Sequence, residues 1–216
     1  MKVKWNGHAS FTISSDSGLC IVTDPYEPGG FGGAIAYSAI PDRADMVLVS
    51  HEHADHNYVK QLQGSPVVVK ASQELKGIKI KAVPAFHDAS QGKERGRNNL
   101  FVFELDGIRI AFLGDLGHLL DQKQIQELEK PDLLLIPVGG YFTIDADQAH
   151  KLTSLLKPAI VMPMHYKTEK VRLPIQPADA FIALFAKVKK LDASEVQLKK
   201  SELPKSTELW VLKYAC

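Results

Sequence analysis

The chain has 216 residues, enough to bury a sizeable core, and its 45% apolar and 24% charged content is a globular balance. With 26 basic against 25 acidic residues the formal charge is +1, which argues against a general affinity for nucleic acid or an anionic membrane. No run reaches the ~20 apolar residues of a membrane span, the N-terminus lacks the apolar core of a signal peptide, and the isolated Cys20 and Cys216 make no disulfide framework. The expectation is a soluble cytoplasmic protein.

In chain order, Ser10–Ile13 and Leu19–Thr23 are apolar runs joined across a turn-rich SSDSG, which predicts a hairpin. The Gly/Pro-rich stretch from Asp24 to Gly33 predicts irregular chain. Asp45–Ser50 is a continuous apolar run of strand length, as in a strand buried on both faces. Val67–Val69 and Ile78–Val83 read as further strands. Leu100–Leu105 and Ile108–Leu113, joined by Asp106-Gly107, carry the sharpest hairpin signal.

Beyond this point the pattern changes. Asp121–Glu129 and Ala146–Leu156 read as helices, Leu133–Pro137 and Ile160–Met164 as buried strands, and Glu208–Lys213 as a last strand. Ala178–Lys189 places Phe181, Leu184, Phe185 and Val188 on one stripe, which predicts an amphipathic helix. That helix could pack on its own core or on a second copy, so a homo-oligomer stays open. No linker interrupts the chain, and the expectation is one domain over residues 1–216. Hairpins followed by alternating helices and strands suggest an α/β (α+β) fold of packed sheets with helices outside.

The sequence HEHADH at 51–56 closes the run VLVS. Alternate residues of an extended segment point the same way, so His51 and His53 can share a target. A turn into helix near Ala54 would aim Asp55 and His56 at a second, adjacent point. That spacing suits two metal ions side by side, and imidazole with carboxylate suits zinc, iron or manganese. His87, Asp115 and His165 each close an apolar run, as ligands on a rigid scaffold would. For any one of them alone, a solvated strand-end residue is the simpler reading.

These residues resemble the metallo-β-lactamase superfamily: HEHADH, Asp24 in IVTDPY, His87, GD at 114–115 and His165 in MPMHY. GHASF at 7–11, FHD at 86–88, RGRN at 95–98 and GDLGH at 114–118 are similar to a branch that includes L-ascorbate-6-phosphate lactonase-like proteins and other metal-dependent hydrolases. The resemblance implies a four-layer αββα sandwich with a binuclear centre at one edge, zinc first and manganese or iron(II) as alternatives. It implies that His51, His53 and His87 hold one metal and Asp55, His56 and His165 the other, with Asp115 bridging. Asp24 would hydrogen-bond behind the ligand loop. Di-iron oxygen reductases of this fold carry glutamate where this chain has His53, so hydrolysis is the better reading.

The expected reaction is attack by a metal-bridging hydroxide on a small ester, lactone or phosphodiester that could carry an anionic group, with Asp55 also moving a proton. A phosphodiesterase or nuclease is the alternative within enzymes, and a non-catalytic metal-binding protein the alternative outside them. His8 and His118 could reach the cleft, although a lone histidine is often only structural. Lys93, Arg95 and Arg97, with Asn98 in a tight turn, could clamp a phosphate or carboxylate; a charged surface loop is the plain alternative. Ser50 reads as a structural strand-end serine, His150 as exposed, and Tyr141 and Tyr166 as pocket or packing residues.

Overall fold

The computed structural model describes all of residues 1–216, and the apolar runs expected as strands all form strands. The first sheet contains β1 (Lys2–Gly7), β2 (Ser10–Ser14), β3 (Cys20–Thr23), β4 (Met46–Leu48) and β5 (Val67–Val69), with a distorted turn, α1 (Gly30–Gly33), between β3 and β4. The second contains β6 (Gln73–Leu75), β7 (Ile78–Phe86), β8 (Arg97–Leu105) and β9 (Ile108–Phe112). After these come helix α2 (Gln122–Glu127), β10 (Leu133–Pro137), helix α3 (Ala146–Leu156), β11 (Ile160–Met164) and helix α4 (Asp179–Ala183). Three late strands follow: β12 (Val188–Lys190), β13 (Glu195–Gln197) and β14 (Glu208–Val211).

The sheet orders are β13-β1-β2-β3-β4-β5 and β12-β14-β11-β10-β9-β8-β7-β6. The β8–β9 hairpin closes as expected, with Leu105 opposite Ile108 and both Asp106 (φ 50°) and Gly107 (φ 74°) in the left-handed region. Two positive φ angles in a two-residue loop match the right-handed strand twist. β9, β10, β11 and β14 run parallel, and α3 makes the crossover between β10 and β11. Its start is fixed by Asp145, which accepts from the Gln148 backbone N–H while the Gln148 side chain bonds back.

Alternation along the strands builds two cores. Met46 and Leu48 face a 45-residue cluster between the sheets, while Val47 and Val49 face a separate cluster of 11 buried residues. That second cluster is covered mainly by irregular chain carrying Tyr26, Ile35, Tyr37 and Ile40. The αββα order therefore holds with one outer layer made of loop. The layer is stitched by polar tips: Tyr26 Oη donates to the Ser38 carbonyl at 3.0 Å, and Tyr37 Oη meets Thr168 Oγ1 at 2.8 Å.

Three expectations need correcting. The helix over 178–189 ends at Ala183, because Leu184 and Phe185 bond back only three residues and Val188–Lys190 pairs with β14 as an edge strand. Phe181 and Phe185 still pack together, but Leu184 and Val188 are exposed. No helix begins near Ala54: its carbonyl accepts from Glu27 N–H, and Tyr58 N–H donates to Pro25, so a loop-to-loop ladder takes the bonds a helix needs. β7 and β8 extend to Phe86 and back to Arg97, so RGRN runs into a strand instead of staying in the turn. No helix is long and apolar enough to cross a membrane.

If the loop layer is a packed layer, Tyr37→Ala should cost about 3–5 kcal/mol, as for other buried aromatic truncations. Guanidinium unfolding measures it; a loss below about 1 kcal/mol would mean the loops only drape the sheet.

Candidate metal centre

Strand ends deliver the candidates to one edge. His51 lies three residues beyond β4, His87 directly follows β7, Asp115 lies three residues beyond β9, and His165 directly follows β11. His8 occupies the turn between β1 and β2. His51, His53 and His87 offer ligand atoms within 4.8 Å of one another, and His8, Asp55, His56 and His165 form a second such group. His53 is exposed at the mouth, and the others are buried. The turn after His53, closed by His56 N–H and Asn57 N–H on the His53 carbonyl, redirects Asp55 and His56 toward the second group.

Asp115 stands between the groups. Its Oδ2 lies 4.0 Å from His51 Nε2 and 3.3 Å from His87 Nε2 on one side. On the other it lies 3.1 Å from His56 Nε2 and 3.2 Å from His165 Nε2. Asn98, fully buried, holds this residue in place: its Oδ1 accepts from Asp115 N–H at 2.9 Å and its Nδ2 donates to the Leu113 carbonyl at 3.0 Å. Gly114 has φ +51°, and a Cβ there would stand 2.4 Å from Asn98 Oδ1 and 2.5 Å from Ser50 Cβ.

Behind the cluster, Asp24 is fully buried at φ 33°. Its Oδ1 accepts from Ser50 N–H at 2.7 Å, and its Oδ2 accepts from Ser50 Oγ at 2.5 Å and from His56 Nδ1 at 2.8 Å. Because the Ser50 hydroxyl proton goes to Asp24, its oxygen accepts from His51 Nδ1 at 2.8 Å. Both imidazoles thereby keep a proton on Nδ1 and turn Nε2 toward Asp115. Ser50 is thus more than a strand end: it relays the Asp24 constraint to His51.

The donor set fits divalent cations. Asp115 Oδ1 is buried without a hydrogen-bond partner, as are Nδ1 of His8, His87 and His165, while Nε2 of His56, His87 and His165 all crowd the one Asp115 Oδ2. An orphaned buried polar atom costs roughly 1–3 kcal/mol, so a cluster of them needs a compensating charge or partner. Asp24, Asp55 and Asp115 are paired only with histidines, never with lysine or arginine. Nitrogen and carboxylate donors in this mixture suit zinc, iron or manganese.

Other expected residues fall elsewhere. His118 does not reach the cleft: Phe86 N–H donates to its Nε2 at 3.1 Å, so Nδ1 carries the proton and donates to the Leu119 carbonyl at 2.8 Å. It pins the residue before His87. Asn98 likewise supports Asp115 and is too deep to meet a substrate. His8 does enter the cluster, its Nε2 3.1 Å from Asp55 Oδ2 and its ring 4.2 Å from that of His165. Arg95 is half-buried on the cleft wall, and Arg97 and Lys93 are exposed. Asp88, quoted above only within FHD, accepts four backbone N–H groups, from Ser90, Gly92, Glu94 and Arg95, and so shapes the loop that carries Arg95. The cleft over the cluster measures about 440 Å³ and has Phe31, Phe142 and Leu173 on its apolar side.

Electrostatics keeps His8, His51 and His87 neutral. Burial and neighbouring His56 push His51 down to about 2, and burial with His165 pushes His8 to about 4. Burial lowers His87 despite Asp115. At His56 burial is overcome by Asp115 and Asp55, which raise it well above the usual value. Burial would raise Asp55 and Asp115, but the histidines around them hold both below the ordinary carboxylate range.

Two outcomes follow from this packing. Gly114→Ala should lower stability by about 1–3 kcal/mol through strain and overpacking, read from the urea midpoint; an unchanged midpoint would contradict the close approach. Chelator-stripped protein should lose stability as pH falls from 6.5 toward 4, because the unfolded chain takes up protons that folded His8, His51 and His87 refuse. The slope is at most about 1.4 kcal/mol per pH unit for each such group. His56 has the opposite sign, but its contribution is fully present below 6.5 and fades only as pH rises, while Asp24, raised by burial, opposes with one proton. A midpoint that holds or rises on acidification would contradict neutral His8, His51 and His87.

Residues 2–165 match the family described as Beta-lactamase superfamily domain. A UPF0173 metal-dependent hydrolase of Thermococcus onnurineus is 34% identical over 197 residues, covering 78% of this chain and 85% of that protein. Another from Archaeoglobus fulgidus is 29% identical over 234 residues, covering 94% and 97%. Among solved structures, a protein of Thermotoga maritima described as a Zn-dependent hydrolase of the metallo-beta-lactamase superfamily aligns with a TM-score of 0.81 at 34% identity, over 99% of both chains. The two-sheet architecture and its strand-edge histidine cluster agree with these likenesses, and the chain belongs to the metallo-β-lactamase superfamily as one of its metal-dependent hydrolases.

Proposed function

We propose that residues 1–216 act as one cytoplasmic hydrolase unit whose centre holds two divalent metal ions, zinc first, and which cleaves a small ester, lactone or phosphodiester. One observation carries this reading: Asp115 Oδ2 lies within 4.0 Å of Nε2 atoms from both ligand groups, the position of a bridging ligand. His51, His53 and His87 would hold one ion, and Asp55, His56 and His165 the other. The half-buried, unpaired thiols Cys20 and Cys216 support a reducing compartment.

Bound there, two divalent ions would supply a hydroxide near neutral pH and a Lewis acid for the developing oxyanion. The protein's own groups do the rest. Asp24, through Ser50 and directly, keeps His51 and His56 oriented. Asp55, ionised across the neutral range, can accept a proton at Oδ2, with His8 Nε2 3.1 Å away to steady that carboxylate. Phe31, Phe142 and Leu173 supply an apolar wall that favours a small organic group and thins out water beside the reacting bond.

A non-catalytic metal protein fits less well, because structural sites close around four ligands whereas His53 here is exposed at an open cleft. A phosphodiesterase gains support from Arg95 on the same wall.

Elemental analysis of purified protein should find about two metal equivalents per chain. His51→Ala should lose metal together with hydrolysis of a panel of esters, lactones and phosphodiesters. Asp24→Asn should weaken metal affinity by about 10–100-fold although every proposed ligand residue is unchanged. Folded protein that stays metal-free under metal-replete purification would overturn the reading.

A further inference from the structure

A second cleft adjoins the first. It measures about 300 Å³ and shares Glu52, His53 and Arg95 with the cleft over the cluster, so the two are continuous around the His53 side chain. Their linings differ in residue type. The first offers Phe31, Phe142 and Leu173; the second has Val49 as its one hydrophobic residue and adds Lys70, Arg97 and Asn99.

The charge in the second cleft is uneven. Glu52 is already engaged, by Lys70 Nζ at 2.6 Å and by Asn57 Nδ2 at 3.0 Å. Arg95 has only a 3.5 Å contact to Glu94, and its guanidinium lies 5.6 Å from the Phe142 ring centre. Arg97 has no carboxylate partner within ion-pair distance. Three cations against two engaged carboxylates, Glu52 and Glu94, leave the cleft net positive, with Arg97 as the cation that has no carboxylate partner.

Both arginines are held by ordered backbone. Arg97 belongs to β8 and pairs with Phe86, the residue before His87. Arg95 closes the loop that Asp88 organises through four backbone N–H groups. A guanidinium on such a support is pre-placed for a planar or tetrahedral anion, with less ordering to be done on binding.

We propose that this cleft is a subsite for an anionic group of the substrate, a carboxylate or a phosphate, set apart from the bond that is hydrolysed. The inference rests on the hydrolase reading above and narrows it. The substrate class becomes a small hydrolysable molecule with an apolar portion against Phe31, Phe142 and Leu173 and a charged end beyond His53 toward Arg97.

Matched para-nitrophenyl esters test this on the metal-loaded protein: pentanoate, the hemi-ester of glutarate, and phosphonobutanoate. Wild type should prefer a charged acyl chain over the neutral one in kcat/KM. Arg97→Gln should reduce that charged-to-neutral ratio about tenfold, the scale of one charge-assisted hydrogen bond. Lys70→Gln, at another surface position, repeats the test should Arg97→Gln fold poorly. The favoured ester names the anion, carboxylate or phosphate. Turnover without preference, or with a preference both variants retain, would overturn the subsite and leave the hydrolase reading standing. If no ester turns over, calorimetry with free glutarate and phosphonobutanoate decides the subsite independently: affinity reduced about tenfold in Arg97→Gln supports it, and equal affinity overturns it.

Discussion

The geometry of the cluster depends on the buried carboxylate of Asp24. It accepts the Ser50 N–H, the Ser50 hydroxyl and His56 Nδ1, and through that hydroxyl it also sets the tautomer of His51. Without it, two imidazoles could rotate or exchange the protonated nitrogen, and their Nε2 atoms would no longer converge. The backbone is bent to allow this: Asp24, His8 and His165 all adopt left-handed φ angles, at 33°, 50° and 50°. Residues held there cost on the order of 1–3 kcal/mol each, and such strain concentrates at functional sites.

What sustains the strain is the rigidity of the strand ends. Each loop that carries a residue of the cluster leaves a strand buried on both faces or closes a hairpin, so its first residues have little freedom. The His165 N–H bonds to the His8 carbonyl at 3.0 Å, and that carbonyl also accepts Trp5 Nε1 at 3.0 Å, which joins the two sheets directly behind the cluster. The centre is therefore a product of the inter-sheet core and would not survive as an isolated loop motif.

Sequence alone carried much of this. HEHADH announces its chemistry because metal ligands need particular donor types at close spacing, and the later His87, Asp115 and His165 stand out because each terminates an apolar run. The second row of residues was mostly hidden. Ser50 and Asp88 are common strand-end and turn residues, and only their partners, Asp24 at one and four backbone N–H groups at the other, reveal their roles. His118 was ambiguous for the same reason: its proximity in sequence to Asp115 says nothing about where its nitrogens point. The fold misled where periodicity competed with pairing. The 178–189 stripe is helical by spacing, yet β14 offers Val188–Lys190 an open edge, and tertiary pairing won. The outer loop layer had no periodic signal at all, since tyrosines and isoleucines spread through a Gly/Pro-rich segment pack by shape alone.

The central claim is that one buried cluster, oriented by Asp24, binds two metal ions bridged by Asp115. X-ray absorption at the zinc edge of the zinc-loaded protein tests it most directly. The account predicts a shell of nitrogen and oxygen donors, no sulfur, and a second metal scatterer about 3.5–4 Å away. A single zinc with no metal neighbour, or a shell containing thiolate, would contradict it.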